Sequence, residues 1–364
     1  MMKRDFEMKQ TFAAAPRRAQ GGFSLIELMI AVALGLVILA ALTTFFVQTS
    51  ANRAEMERNT RQIENGRYAI DTVREDLTLA GFYADLAPGV VPAWTVNDAC
   101  PANMAALGFA LAPAYSAPVP IFGYALGAGA PGGCLLNLAA NNDVLVIRRF
   151  NTEAITPAAA AAPAASAHWY IQISECSEDD PLVPFVVAAG NAGTGPGGFD
   201  RKKLSCGATL ADLWRLREQV YYLRTCSVCD PVPDGIPTLW RAEIDPANSN
   251  IVGLPMKTQP VVEGIEAMRV DYGIDNTGDG LPDLWSRCEP CDATAWSNVT
   301  AAKLYFLARN LETTRGYLDT KTYSLGLWGD YGPMNDEYKR HVYSAQVVLP
   351  NRTGPREPQL ATAP

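Results

Sequence analysis

Two kinds of side chain in this 364-residue sequence stand at spacings that could hold a metal or form a covalent link. The first is an acidic run, Asp275-Asn276-Thr277-Gly278-Asp279-Gly280-Leu281-Pro282-Asp283. Counted from Asp275, side-chain oxygens fall at positions 1, 3, 5 and 9, on Asp275, Thr277, Asp279 and Asp283, and the Leu281 carbonyl can serve at position 7. Oxygens at alternate positions of a tight loop can converge on a hard cation such as Ca²⁺. Position 12 is Ser286, which cannot supply the bidentate carboxylate that closes a tight site, so affinity should be weak unless another segment contributes. Asn, Asp and Gly also favour turns for backbone reasons alone. The sequence therefore leaves two readings open, a calcium loop and a polar turn.

The second kind is cysteine. Cys100, Cys134, Cys176, Cys206, Cys226, Cys229, Cys288 and Cys291 all follow an apolar segment at residues 23–47. If that segment is a membrane anchor, all eight lie on the exported side, where an even count favours disulfides. Cys226–Cys229 and Cys288–Cys291 are both C-x-x-C pairs, and two such pairs can make a tetrahedral zinc site. Export argues for disulfides instead. The pairing expected is sequence-local: Cys100–Cys134, Cys176–Cys206, Cys226–Cys229 and Cys288–Cys291. Neither C-x-x-C opens a clear helix after a strand, as a thioredoxin-like site would. His168 and His341 are the only histidines, and both read as structural or solvated. The sequence has no G-x-S-x-G elbow, P-loop or dinucleotide glycine pattern. Nothing in it reads as an enzyme.

A lone carboxylate poses a different problem. From Phe23 to Val47 the chain reads FSLIELMIAVALGLVILAALTTFFV, with Glu27 its only charge. As a helix this stretch would be roughly 37 Å long, enough to cross a ~30 Å hydrocarbon layer with some tilt. A carboxylate inside such a helix costs several kcal/mol and is by default a functional hypothesis. The plainer alternative is a Glu that snorkels to the headgroups. The 22 residues before it carry Lys3, Arg4, Lys9, Arg17 and Arg18 against Asp5 and Glu7, +3 in all, and leave −11 of the chain's −8 total on the rest. Those cations mark the cytoplasmic side. An acidic body repels phosphate backbones, so nucleic acid is not an expected partner.

An ordinary secretory signal places its small residues after the apolar run; here Gly21 and Gly22 precede it. Cleavage at that point would remove only the charged leader and leave the apolar helix on the mature chain. The string GGFSLIELMIAVALGLVIL resembles the prepilin signature of type IV pilins and of the pseudopilins of type II secretion. The resemblance implies that a prepilin peptidase cuts between Gly22 and Phe23 and that the new N-terminus, Phe23, is methylated. It also implies that Glu27 pairs with the Phe23 amine of a neighbouring subunit in a filament, which removes both charges from lipid.

The elements that must position these residues read as an α+β protein: a long membrane-spanning N-terminal helix, then a mostly antiparallel β domain. The helix should continue past the membrane part, because Met56, Ile63, Ile70, Val73, Leu77 and Ala80 make one apolar stripe. Gly81 is a natural stop. Expected divisions are a leader at 1–22, a transmembrane part at 23–47, an amphipathic continuation at 48–80 and a periplasmic domain at 81–364. Residues 104–133 read as a long loop, 156–167 as a low-complexity linker and 189–199 as a Gly-rich loop. Strands are expected at 143–150, 169–174, 184–189, 219–224, 238–243, 261–272, 301–309 and 341–349.

Within that domain VVEGIEAMRVDYGID, DGLPDLW and AAKLYFLARN resemble the C-terminal part of the PilW minor pilin family, over about residues 261–352. The block shares features with J-type pseudopilins. The resemblance implies a role in starting the pilus near its tip, twitching motility and adhesion, with other minor pilins, the major pilin, the prepilin peptidase and the inner membrane as partners. A J-type pseudopilin of type II secretion is the close rival. A pilus-borne adhesin, with its binding surface in the unmatched middle, is the third reading.

Overall fold

The computed structural model describes residues 22–84, 86, 93–110, 116–179, 184–195 and 197–353. The expected leader lies outside the described residues except for Gly22. The first element is a single helix, α1, Leu25–Thr78. The chain divides into two compact units after Met56.

From Leu25 to Val47 the helix is apolar on every side apart from Glu27, and every large apolar side chain from Phe23 to Val47 is more than half exposed. Its hydroxyls are satisfied internally: Thr43, Thr44 and Thr49 donate to the carbonyls of Leu39, Ala40 and Phe45 at 2.7, 2.6 and 2.8 Å. A helix in lipid must satisfy its polar groups this way, since no water competes for them. The stretch is long and apolar enough to cross a membrane.

The second unit starts with the rest of α1, whose buried face is Gln62, Gly66, Ala69, Ile70, Val73, Asp76 and Leu77. The expected stripe holds from Ile70 to Leu77 but fails upstream, where Met56 and Ile63 are exposed. Close approach and hydrogen bonding replace apolar bulk there. A Cβ on Gly66 would overlap the Tyr343 ring, so only glycine lets that ring lie on the helix backbone. The Gln62 amide donates to the carbonyls of Ala308 and Lys339 at 2.8 and 2.9 Å. Ile70, Val73 and Leu77 each contribute about 1.5–3 kcal/mol by burial. The helix tightens before Gly81, with Leu79 and Ala80 N–H bonded to the Asp76 and Leu77 carbonyls, so α1 ends two residues short of the expected Ala80.

The strands are β1 (Ala93–Thr95), β2 (Ser116–Pro118), β3 (Ile121–Tyr124), β4 (Val144–Ile155), β5 (Trp169–Ile173), β6 (Phe185–Ala189), β7 (Leu213–Arg224), β8 (Thr238–Ile244), β9 (Met256–Glu263), β10 (Ile265–Ile274), β11 (Leu284–Ser286), β12 (Val299–Arg309), β13 (Tyr323–Ser324), β14 (Asp330–Tyr331) and β15 (Arg340–Val348). Short helices α2 (Pro157–Ala160), α3 (Ala293–Ser297) and α4 (Pro350–Thr353) punctuate them. A seven-stranded sheet runs β3-β4-β7-β5-β6, with β8 joining β7 to β9. A four-stranded sheet runs β11-β10-β12-β15. Both are antiparallel throughout. The class is α+β, a long apolar N-terminal helix followed by a mostly antiparallel β domain.

Several boundaries differ from the sequence expectation. The single strand expected at 261–272 is two strands in two sheets, split at Gly264. Gly264 takes φ +78°, a left-handed conformation that side chains disfavour, and its N–H bonds the Pro237 carbonyl at 2.7 Å. The expected loop at 104–133 contains β2 and β3, because Ile121 and Phe122 are buried against the core. The linker at 156–167 opens with α2, capped by the Thr156 hydroxyl and anchored by fully buried Ala160. Strand β7 starts six residues before the expected Gln219. The sheets meet through Asn142 and Asp143, whose side-chain oxygens accept from the N–H groups of Met268 and Val270 on β10 at 3.1 and 2.9 Å.

Candidate functional site

At the N-terminal end Gly22, Phe23 and Ser24 precede α1 without helical structure. The Ser24 N–H donates to a Glu27 carboxylate oxygen at 3.4 Å, and the Leu28 N–H bonds the Ser24 carbonyl at 3.1 Å. This is half of a capping box, and it places the carboxylate where the helix dipole favours negative charge. The cue, Ser24-x-x-Glu27, is written in the sequence as the spacing of a capping box. Glu27 otherwise sits among exposed apolar side chains. Local capping orients the acid without neutralising it.

In the second unit Asp76 presents the opposite case. It is buried and accepts from the Tyr221 hydroxyl, with Arg149 at 3.3 Å and Arg241 at 3.9 Å. Tyr221 is pushed up, first by burial and then by Asp76, so it stays a donor. A second internal pair, Arg148–Glu218, lies on the other face of β4 and β7 and is almost fully buried. Burial raises Glu218 while Arg148 opposes the rise.

The cysteine sulfurs form four disulfides: Cys100–Cys134, Cys176–Cys206, Cys226–Cys229 and Cys288–Cys291. Each C-x-x-C closes on itself, so the sulfurs are not free to make a four-thiolate zinc site. The Cys176 and Cys206 sulfurs and a Glu178 carboxylate oxygen lie within 4.8 Å of one another, yet that closeness follows from the disulfide and leaves no thiolate for a metal. By loop-closure entropy the link spanning 34 residues is worth roughly 3.7 kcal/mol and one spanning three roughly 1.6 kcal/mol.

Two of the acidic loop's carboxylates are taken up by the loop's own backbone, Asp275 buried and Asp283 at the surface. Asp275 accepts from the N–H groups of Gly278 and Gly280 at 2.6 and 2.9 Å. Asp283 accepts from those of Asn276 and Thr277 at 2.7 and 2.9 Å. The Thr277 hydroxyl lies between the two, at 3.3 and 3.4 Å. Asp279 stands apart, exposed, accepting from the Leu281 N–H at 2.9 Å. Among the described residues, the three carboxylates do not form one metal-sized cluster. Asp275, Thr277 and Asp283 are brought together; Asp279 is not, and Leu281 is exposed.

The histidines take separate places. His168 is buried, 3.4 Å from Asp245, and is lowered by burial and then by Arg215, with Asp245 opposing. His341 is exposed on β15 with its ring edge-on to Tyr343. Near it Arg340 is buried and bonded to Glu266, Asp319 and Asp336 at 2.6, 2.9 and 2.6 Å. Burial alone would lower this guanidinium, but its acid partners raise it overall.

Residues 17–43 match the family model described as the prokaryotic N-terminal methylation motif. Residues 220–351 match the model described as type IV pilus-assembly protein W. The chain thus joins a prepilin-type methylation motif to a PilW-type domain. The PilW match spans β8 to β15 and holds both the acidic loop and the Arg340 cluster. It opens upstream of the block that the C-terminal motifs mark, taking in the end of β7. Among solved structures the chain is similar to a type IV-like pilin from Thermus thermophilus, at 16% identity over 58% of this chain and 79% of that one, with a TM-score of 0.25. That likeness is too distant to carry an assignment. No curated protein matches the chain. The methylation motif with its apolar helix fits an inner-membrane-anchored pilin.

Proposed function

We propose that this protein is a minor pilin that helps initiate type IV pilus assembly and is incorporated at or near the tip. The observation that carries the reading is the presence on one chain of a prepilin methylation motif at 17–43 and a PilW domain at 220–351. In this reading a prepilin peptidase cuts at Gly22–Phe23 and methylates Phe23. The chain then waits in the inner membrane as a single-pass protein, with residues 81–364 in the periplasm. Glu27 draws it into register by pairing with the Phe23 amine of an adjacent minor or major pilin. The protein acts as a building part and performs no catalysis. The four disulfides suit a domain that ends up outside the cell.

The test is a chromosomal deletion. The expected result is a loss of surface pili and twitching with type II secretion intact, restored by the wild-type gene. Intact piliation with blocked secretion would instead assign the protein to the J-type pseudopilins.

A further inference from the structure

The second unit contains a surface groove of about 600 Å³. It is lined by Arg67 on α1, by Tyr317 and Lys321 on the stretch before β13, and by Lys339, His341 and Tyr343 at the start of β15. No carboxylate lines it, on a chain whose net charge is −8. Among the described residues, Arg67 and Lys321 have no ion-pair partner. Three acids, Glu266, Asp319 and Asp336, are committed to Arg340. Two aromatic rings and an exposed histidine complete the wall.

Two more observations say what would fit. The Tyr343 hydroxyl is buried and has no hydrogen-bond partner, and the Arg67 guanidinium is close enough to oppose the rise that burial causes in it. An unpartnered hydroxyl beside an unpaired cation calls for an acceptor with negative charge. In addition, β15 pairs with β12 and ends its sheet, so its other side is an open edge of backbone N–H and C=O groups. Such an edge is a template for an added strand.

We propose that this groove docks an extended, carboxylate-bearing segment of a partner protein along the open edge of β15. Alternate acidic side chains would reach Arg67 and Lys321, and the backbone would pair with β15. The acidic body works against a nucleic acid in the same place, because long polyanions are repelled by the surrounding charge. The inference does not depend on pilus assembly, since the groove lies wholly within the second unit.

The test uses the full chain in detergent micelles and a fluorescein-labelled Glu-Val-Glu-Val-Glu-Val peptide followed by anisotropy. Saturable binding is expected. It should weaken at least tenfold in the double variant Arg67→Glu, Lys321→Glu, less in Lys321→Glu alone, and also with a backbone N-methylated peptide. A Lys-Val peptide should not bind. Unchanged binding by the double variant with an unchanged melting temperature would overturn the proposal. So would equal binding of the Lys-Val or N-methylated peptide, or tighter binding of a six-nucleotide single-stranded DNA. If the double variant fails to fold, loss in Lys321→Glu with normal melting decides the matter for the proposal, and full retention decides against it.

Discussion

Two carboxylates on α1 live in opposite surroundings. Asp76 is buried among Tyr221, Arg149 and Arg241. Glu27 lies in an apolar, exposed stretch and takes one N–H from its own first turn. The fold uses the first acid internally, and its partners explain it. Among the described residues of its own helix, no cation stands beside the second, and the proposed pairing with a neighbouring subunit would supply one. On the proposed reading the same helix carries an acid for folding and an acid for assembly. The sharpest attempt to break this contrast is Glu27→Ala. It should be cleaved and inserted normally and should leave the stability of the second unit within about 0.5 kcal/mol, while its recovery in sheared pili falls at least tenfold. Normal recovery would end the assembly role.

Asp76→Ala should behave the other way round. Removing the acid takes the carboxylate from Arg149 and from the buried Tyr221 hydroxyl, while Arg241 keeps Glu243 at 3.8 Å, and costs about 3–5 kcal/mol. Denaturant unfolding reads this directly, and cleavage at Gly22–Phe23 should be untouched. A loss under 1 kcal/mol, roughly that of an exposed pair, would show that Asp76 is no better anchored than a surface acid.

Asp143 sharpens the contrast from a third position, where the two sheets meet. Burial pushes it up to about 6 from 3.8, against the N–H bonds from Leu126 and Val270 and the pull of Arg269. An acid whose folded value is raised favours the folded state in its protonated form. Its contribution is fully present below the unfolded value and is lost as pH rises through about 6. At 1.36 kcal/mol per unit the swing is roughly 3 kcal/mol. Relative to wild type, Asp143→Asn should therefore gain about that much stability between pH 4 and pH 7, measured by unfolding at each pH. A difference that does not change with pH would show that the acid titrates alike in both states.

The parts of the molecule legible in sequence are those whose cause is local. The apolar helix, the N-terminal methylation motif and strands such as β8 and β12 follow from residue type and periodicity. The buried face of α1 was half legible: Ile70, Val73 and Leu77 declare themselves by hydropathy. Gln62 and Gly66 are buried for reasons held elsewhere in the chain, the Ala308 carbonyl and the Tyr343 ring. The break at Gly264 was missed because apolar alternation continues across it, and only the pairing of β9 with β8 and of β10 with β12 reveals two sheets. The basic groove was invisible for the same reason. Arg67, Lys321 and His341 are scattered in sequence, and the fold alone collects them.

The acidic loop gives the smallest expected effect and reproduces the contrast within nine residues. Asp275 and Asp283 resemble Asp76 in that their oxygens are used by the fold, here by four backbone N–H groups. Asp279 resembles Glu27 in its exposure. If the loop is a self-capped turn, Asp275→Ala, which removes a buried acceptor, should cost about 1–3 kcal/mol and Asp279→Ala less than about 0.5 kcal/mol, with the same values in EDTA and in millimolar Ca²⁺. A calcium site makes the opposite demand, because Asp279 would then be a ligand. Wild type would melt higher in Ca²⁺ than in EDTA, and Asp279→Ala would abolish the gain. The four backbone N–H groups already held by Asp275 and Asp283 favour the turn, and a calcium-dependent rise in melting temperature would show that Asp279 closes over a cation after all.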